Sequence, residues 1–138
     1  MITKEALHKK TPQEITALLY EACLDRLEEA KYAIENKDYI VANSKLQKSS
    51  DILNRLGGGL NYEAGIVADQ LETVYNYLAD KVVQANYKKD ITIIDEVTRH
   101  LTGISLAWHN AMEKNEDIMP KSIRNKASAY EQNMIFKD

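Results

Sequence analysis

The side chains in this 138-residue chain best suited to metal or nucleophile chemistry are three histidines, His8, His100 and His109, and one cysteine, Cys23. Two ligands share one face of a helix only at three- or four-residue spacing. His100 and His109 are about two and a half turns apart and so point in opposed directions. A di-iron bundle needs paired Glu-x-x-His motifs. Here Glu96 and His100 are four apart, and the pattern occurs once. No metal site and no cofactor are expected, and the histidines are read as solvated helix-surface residues. A single Cys excludes an internal disulfide and a multi-cysteine zinc site. Cys23 lies beside an apolar stripe and reads as a small buried filler. Gly57-Gly58-Gly59 lacks the Lys-Ser/Thr and the preceding strand of a phosphate loop, so it reads as a hairpin turn.

Composition narrows the class further. The net charge of −3 and pI near 5.7 argue against a nucleic-acid binder, which normally carries a basic face. With 5 Gly and 2 Pro, the chain has too few turn residues for a many-stranded β domain. No apolar stretch has the length of a membrane span, and Met1 to Lys10 lacks the apolar run of a secretory signal. A free Cys23 fits a reducing compartment, so a cytoplasmic location is expected.

Four helices must position whatever this chain uses. Thr11-Pro12-Gln13-Glu14 is a start signal, with Thr11 as cap, Glu14 reaching back and Pro12 in the first turn. Ile15, Leu18, Leu19, Ala22, Leu27, Ala30 and Ile34 then mark a helix over 12–35, with Asn36 as its left-handed stop. Asp38 caps a second helix whose seam is Ala42, Leu46, Ser49, Leu53 and Leu56, and the glycines end it. A third helix over 62–85 carries two stripes. One is Val67, Leu71, Val74, Leu78 and Ala85; the other is Ala68, Leu71, Tyr75, Ala79 and Val82. A fourth over 91–114 carries Ile94, Val97, Leu101, Ile104, Trp108 and Ala111. Residues 33–38 and 85–90 echo each other, each closing one helix and capping the next. The connections are short, so the expected fold is all-α, an antiparallel up-down four-helix bundle. Residues 1–138 form one domain, with the bundle over about 12–114 and a C-terminal tail or short extra helix over about 115–138. Gly103, in mid-helix, is a candidate for close helix–helix approach.

Eight Tyr stand against one Phe and one Trp. Tyrosine suits half-buried and interface positions. Tyr75 and Tyr77 sit about 200° apart on a helix, so both cannot face one core. At least one is exposed or lies under a partner.

Two resemblances follow from short patterns. Arg99-His100-Leu101-Thr102-Gly103 is loosely similar to the His-x-Leu-Lys-Gly of histidine phosphotransfer bundles, with Thr102 in place of the lysine. That reading makes His100 a phosphate acceptor. The broader resemblance is to the FliS family of flagellar secretion chaperones. Thr11-Pro12-Gln13-Glu14-Ile15 through Leu18-Leu19-Tyr20 resembles the start of the family's first long helix, and residues 33–38 its first hairpin turn. Leu71-Glu72-Thr73-Val74-Tyr75-Asn76-Tyr77-Leu78 resembles its Leu-x-x-Leu-Tyr-x-Tyr-Met. Residues 85–90, Glu96-Val97 and Ala107-Trp108 follow its final pattern. One feature departs. The family's Ala-Tyr-x-Gln segment is missing before the first helix, while Ala129-Tyr130-Glu131-Gln132 stands near the C-terminus.

The resemblance implies a non-enzymatic export chaperone that holds the C-terminal helical segment of flagellin and prevents premature polymerisation. Contact residues are expected at Leu19, Tyr20, Leu71, Val74, Tyr75, Tyr77 and Leu78, although Val74 and Leu78 also fit a core seam. The relocated segment, with Tyr130, Met134, Ile135 and Phe136, is expected to cap the client groove. The export apparatus is a second expected partner. The free protein is expected to be a monomer or weak dimer, without nucleic acid or membrane insertion.

Overall fold

The computed structural model describes residues 11–59 and 66–113. They form α1 (Pro12–Glu35), α2 (Tyr39–Gly59), α3 (Ile66–Lys88) and α4 (Ile91–Glu113), with no strand among the described residues. Thr11 caps α1: the Glu14 amide donates to its Oγ1 at 3.1 Å, and that hydroxyl donates to Glu14 Oε1 at 3.2 Å. This satisfies one of the donors that a helix start leaves open.

Each helix packs mainly on its two neighbours in a closed ring, α1 on α2, α2 on α3, α3 on α4 and α4 on α1. The cross-links show antiparallel order. Lys31 pairs with Asp95 at 3.0 Å and His109 lies 3.4 Å from Glu21, so α4 descends as α1 rises. Asn86 Nδ2 donates to Asn43 Oδ1 at 2.8 Å between α2 and α3. The expected four-helix bundle is the observed fold.

The seams show where hydropathy spacing succeeds and where it does not. On α2 the buried residues are Ala42, Leu46, Ser49, Leu53 and Leu56, along with Gly57, so the expected seam is present in full. On α1 the buried stripe is Ala17, Tyr20, Cys23, Leu27, Ala30, Ala33 and Ile34. It is rotated from the expected one, and Leu18, Leu19 and Ala22 are only half-buried. Tyr20 can take the centre because its hydroxyl finds a partner inside. On α4, Ser105 is buried and Ile104 is half-buried. Helix α2 continues through the glycines to Gly59 instead of stopping at the first. A Cβ at Gly57 would meet the Glu72 side chain at 4.0 Å, so α3 lies alongside. Tertiary packing there outweighs a glycine penalty of about 1 kcal/mol per residue. Gly103 is exposed, and no atom of the described residues would lie within 4 Å of a Cβ there, so it does not serve close approach among the four described helices.

The two hairpin turns share one geometry. Asp38 N–H donates to Ala33 O at 2.8 Å and Lys37 N–H to Ile34 O at 2.9 Å, a Schellman closure. Asp90 N–H donates to Ala85 O at 3.1 Å in the second turn. The left-handed residues are Lys37 (φ 58) and Lys89 (φ 53), not Asn36, whose φ is −93. Asn36 instead donates its side-chain amide to Tyr32 O at 2.8 Å. Each turn then hands over to an aspartate cap. Asp38 Oδ1 accepts the Val41 amide at 3.3 Å, and Asp90 Oδ1 accepts the Thr92 hydroxyl at 2.6 Å and amide at 2.9 Å. Those two bonds, the hydroxyl first, hold the Asp90 carboxyl below its usual range.

A left-handed residue with a Cβ is strained by about 1–2 kcal/mol. Lys37 is exposed and its side chain makes no bond among the described residues. Lys37→Gly should therefore raise stability by about 1 kcal/mol, read as a higher urea midpoint at unchanged slope. A lower midpoint would show that the turn is not strained.

Candidate functional site

Beneath the surface lies an aromatic brace joining three helices. The Tyr20 and Tyr75 hydroxyls hydrogen-bond to each other, and both side chains are fully enclosed. The Tyr20 ring meets Trp108 edge-on, with centroids 5.9 Å apart and planes at 77°. Trp108 Nε1 donates to Gln13 O at 2.9 Å, pinning the foot of α4 to the start of α1. Leu78 is also enclosed. Tyr20, Tyr75 and Leu78 are thus enclosed in the core of the bundle. Helical spacing alone did not separate them from surface positions, because tyrosine goes either way according to whether its hydroxyl is satisfied.

The exposed members of the expected contact set are Val74 and Tyr77. Val74 is 38% exposed and Tyr77 46%. The Tyr77 hydroxyl donates to Glu96 Oε1 on α4 at 3.3 Å, and Lys81 Nζ sits 5.6 Å from the ring centre. The ring is thereby held against the seam between α3 and α4. Among the described residues this pair of helices packs least extensively of the four. Leu71, Ile93 and Ile104, half-buried, pack against the core from α3 and α4, and Leu19 does so from α1. The site on α3 is therefore a narrow apolar strip, with Val74 and Tyr77 outside and Tyr75 and Leu78 supporting it from within. The expectation that Tyr75 and Tyr77 part company is met: one is buried and the other exposed.

Sequence reasoning missed other exposed apolar side chains, namely Tyr32, Tyr39, Ile40, Val41, Val83, Tyr87 and Leu106. Their signal was present for Tyr39 and Ile40, which fall outside the α2 seam. Two grooves flank α2. One, of about 460 Å³ between α1 and α2, includes Tyr32, Ala33, Val41 and Lys45 in its walls. The other, of about 320 Å³ between α2 and α3, includes Leu46, Val82 and Val83. Lys45 pairs with Glu29 at 2.8 Å, and its hydrogen bond holds the Glu29 carboxyl below the usual range.

The remaining candidates for chemistry are plain. Cys23 is fully buried, its Sγ donates to Ser49 O at 3.7 Å, and desolvation pushes its thiol up to about 12. A thiol so placed is packing, not a nucleophile. His100 is exposed on α4. Among the described residues no group of three or more His, Cys, Asp or Glu could hold a metal, and no helix is long and apolar enough to cross a membrane. Tyr130, Met134, Ile135 and Phe136 lie outside the described residues, as does His8.

Comparison with known proteins adds to this geometry. The family model described as "Flagellar protein FliS" matches residues 3–115. A flagellar secretion chaperone FliS of Bacillus subtilis is 33% identical over 110 residues, covering 80% of this chain and 82% of the relative. Proteins of the same name from Vibrio cholerae and Salmonella typhimurium are 29% and 28% identical, over 74% and 80% of this chain and 76% and 84% of those relatives.

Proposed function

The chain belongs to the FliS family of flagellar proteins, and from that membership we propose that it is a cytoplasmic, non-enzymatic flagellar export chaperone whose client is the C-terminal segment of flagellin. The observation that best supports a docking strip on this bundle is the exposed Val74–Tyr77 pair over the α3–α4 seam. A helix-forming client lays its apolar face along such a strip, as in helix-in-groove recognition. Burial contributes about 25 cal/mol per Å² of apolar area. Ordering the client costs several kcal/mol, on the order of 2–5 or more. Covering the client's apolar face removes the surface through which it would polymerise, and the loaded chaperone then presents it to the export apparatus. The free chaperone is a monomer or weak dimer in this reading.

The test is calorimetric titration of the full chain with a flagellin C-terminal peptide. Saturable heat at micromolar concentrations supports the reading, and absence of binding removes it. A second measurement addresses the tail. A tethered segment has an effective concentration on the order of mM. If Tyr130, Met134, Ile135 and Phe136 cover the strip, client affinity falls by the fraction of closed molecules. Deleting residues 120–138 should then raise client affinity or on-rate. Unchanged binding in the truncated chain would refute the cap.

A further inference from the structure

The flank of α3 that turns away from the client strip packs on α2, and near the hairpin end it carries a second apolar surface. Asn86 Nδ2 donates to Asn43 Oδ1 at 2.8 Å, which fixes the level of α3 against α2. Within about one turn of that bond stand Ile40, Tyr87 and Val83, 86%, 91% and 60% exposed. Tyr39, half-exposed, lies one turn before Asn43. Val83 also forms part of the rim of the groove between α2 and α3, over Leu46 and Val82. Tyr77, by contrast, reaches α4 through its hydroxyl, on the other side of α3.

Its size and its register suit this surface to a second copy of the chain. An aromatic side chain buries about 150–250 Å², so four side chains this exposed offer on the order of 500 Å². That is as large as the patches monomers leave uncovered, about 300–600 Å². It falls short of the roughly 800 Å² that each partner of a stable complex contributes. A weak dimer fits that area. The register is self-complementary. Ile40 precedes Asn43 by three residues, and Val83 precedes Asn86 by three. Because α2 and α3 run antiparallel, the two lie on opposite sides of the Asn43–Asn86 bond along the bundle, each about 4.5 Å from it by helical rise. Lys37 and Asp80, six residues before Asn43 and Asn86, repeat the relation farther out. Both are exposed, and neither side chain makes a hydrogen bond or ion pair among the described residues.

We propose that two copies of this chain pair through the α2–α3 face, about a two-fold axis that lies in the face and crosses the helices at the Asn43–Asn86 bond. Such an axis reverses the bundle. It brings Ile40 of one copy level with Val83 of the other, and Lys37 level with Asp80, each contact occurring twice as an isologous interface requires. Tyr87, close beside the axis, meets its own counterpart. The strip at Val74 and Tyr77 stays open in the pair, and nothing in the pairing depends on the identity of the client.

The test is sedimentation equilibrium of the full chain from micromolar to millimolar concentration. The weight-average mass should rise from one chain toward two. The variant I40E/Y87S should raise the dimer dissociation constant about tenfold or more, as removal of interface anchors does. Both positions are exposed, so its urea midpoint should match the wild type. K37D and D80K should each weaken the dimer, and K37D/D80K should restore it, since the double exchange rebuilds both ion pairs. A wild type that remains a single chain throughout would overturn the pairing and leave the face for another protein. A dimer that survives I40E/Y87S would overturn it by placing the interface elsewhere, and failure of the double exchange to restore association would overturn the two-fold register. Titration of I40E/Y87S with the flagellin peptide keeps this outcome separate from the client reading.

Discussion

Tyr75→Ala should lower the unfolding free energy by about 3–5 kcal/mol, the cost typical of deleting a large buried aromatic. The ring is enclosed, packs on Tyr20 at 6.3 Å and shares a hydroxyl bond with it. Its loss opens a cavity where α1, α3 and α4 meet, and the neighbours close only part of it. For a domain whose whole stability is about 5–15 kcal/mol, that is a large share. Tyr75→Phe separates the two contributions. It keeps the ring and removes the hydroxyl bond, at a cost of about 1 kcal/mol. Urea unfolding followed by the fluorescence of Trp108, the sole tryptophan, reads both variants. If Tyr75→Ala costs no more than Tyr75→Phe, the brace is not what holds the three helices.

The second large effect concerns binding and leaves the fold intact. Val74→Asp combined with Tyr77→Ala should weaken binding to a flagellin C-terminal peptide by about 30-fold or more, the loss expected when a binding hot spot is removed. Both side chains are substantially exposed, so unfolding free energy should change by only about 0.5–1 kcal/mol. The carboxylate introduced in place of Val74 would have to be desolvated under the client, and the missing Tyr77 ring would leave the seam uncovered. Calorimetry and a parallel urea curve distinguish this from simple destabilisation. Affinity within threefold of wild type would move the client off the α3–α4 strip. The grooves on either side of α2 would then be the places to look.

Tyr20, Tyr75 and Leu78 show where reading the chain alone stops. Each has the spacing of a helix stripe, and α3 carries two overlapping stripes. The choice between core and contact depended on which way α3 turns in the ring of helices. Val74 and Leu78 share a stripe, yet one is exposed and the other enclosed. A stripe marks a face about 100° wide, whereas burial is decided by how far neighbouring helices reach around it. The same limit explains α1. Leu18 and Leu19 sit on the shoulder of the buried face, while Tyr20 and Cys23 lie within it beside Leu27.

What the residues determined unaided was local. Thr11 and Glu14 start a helix through their own side chains, Asp38 and Asp90 cap the next ones, and the apolar period of α2 names its core. Such signals act within a turn or two and need no distant partner. The order of the helices also followed, because two short turns can only fold their helices back. The tertiary structure alone decided the rest. It chose Lys37 over Asn36 for the left-handed position, because the bonds from the Asp38 and Lys37 amides back to Ala33 O and Ile34 O close the helix there. It carried α2 through its glycines against α3, and turned Gly103 to solvent. It also divided the tyrosines, since a hydroxyl can enter the core only where another polar group waits, and such a group lies 55 residues away in the chain.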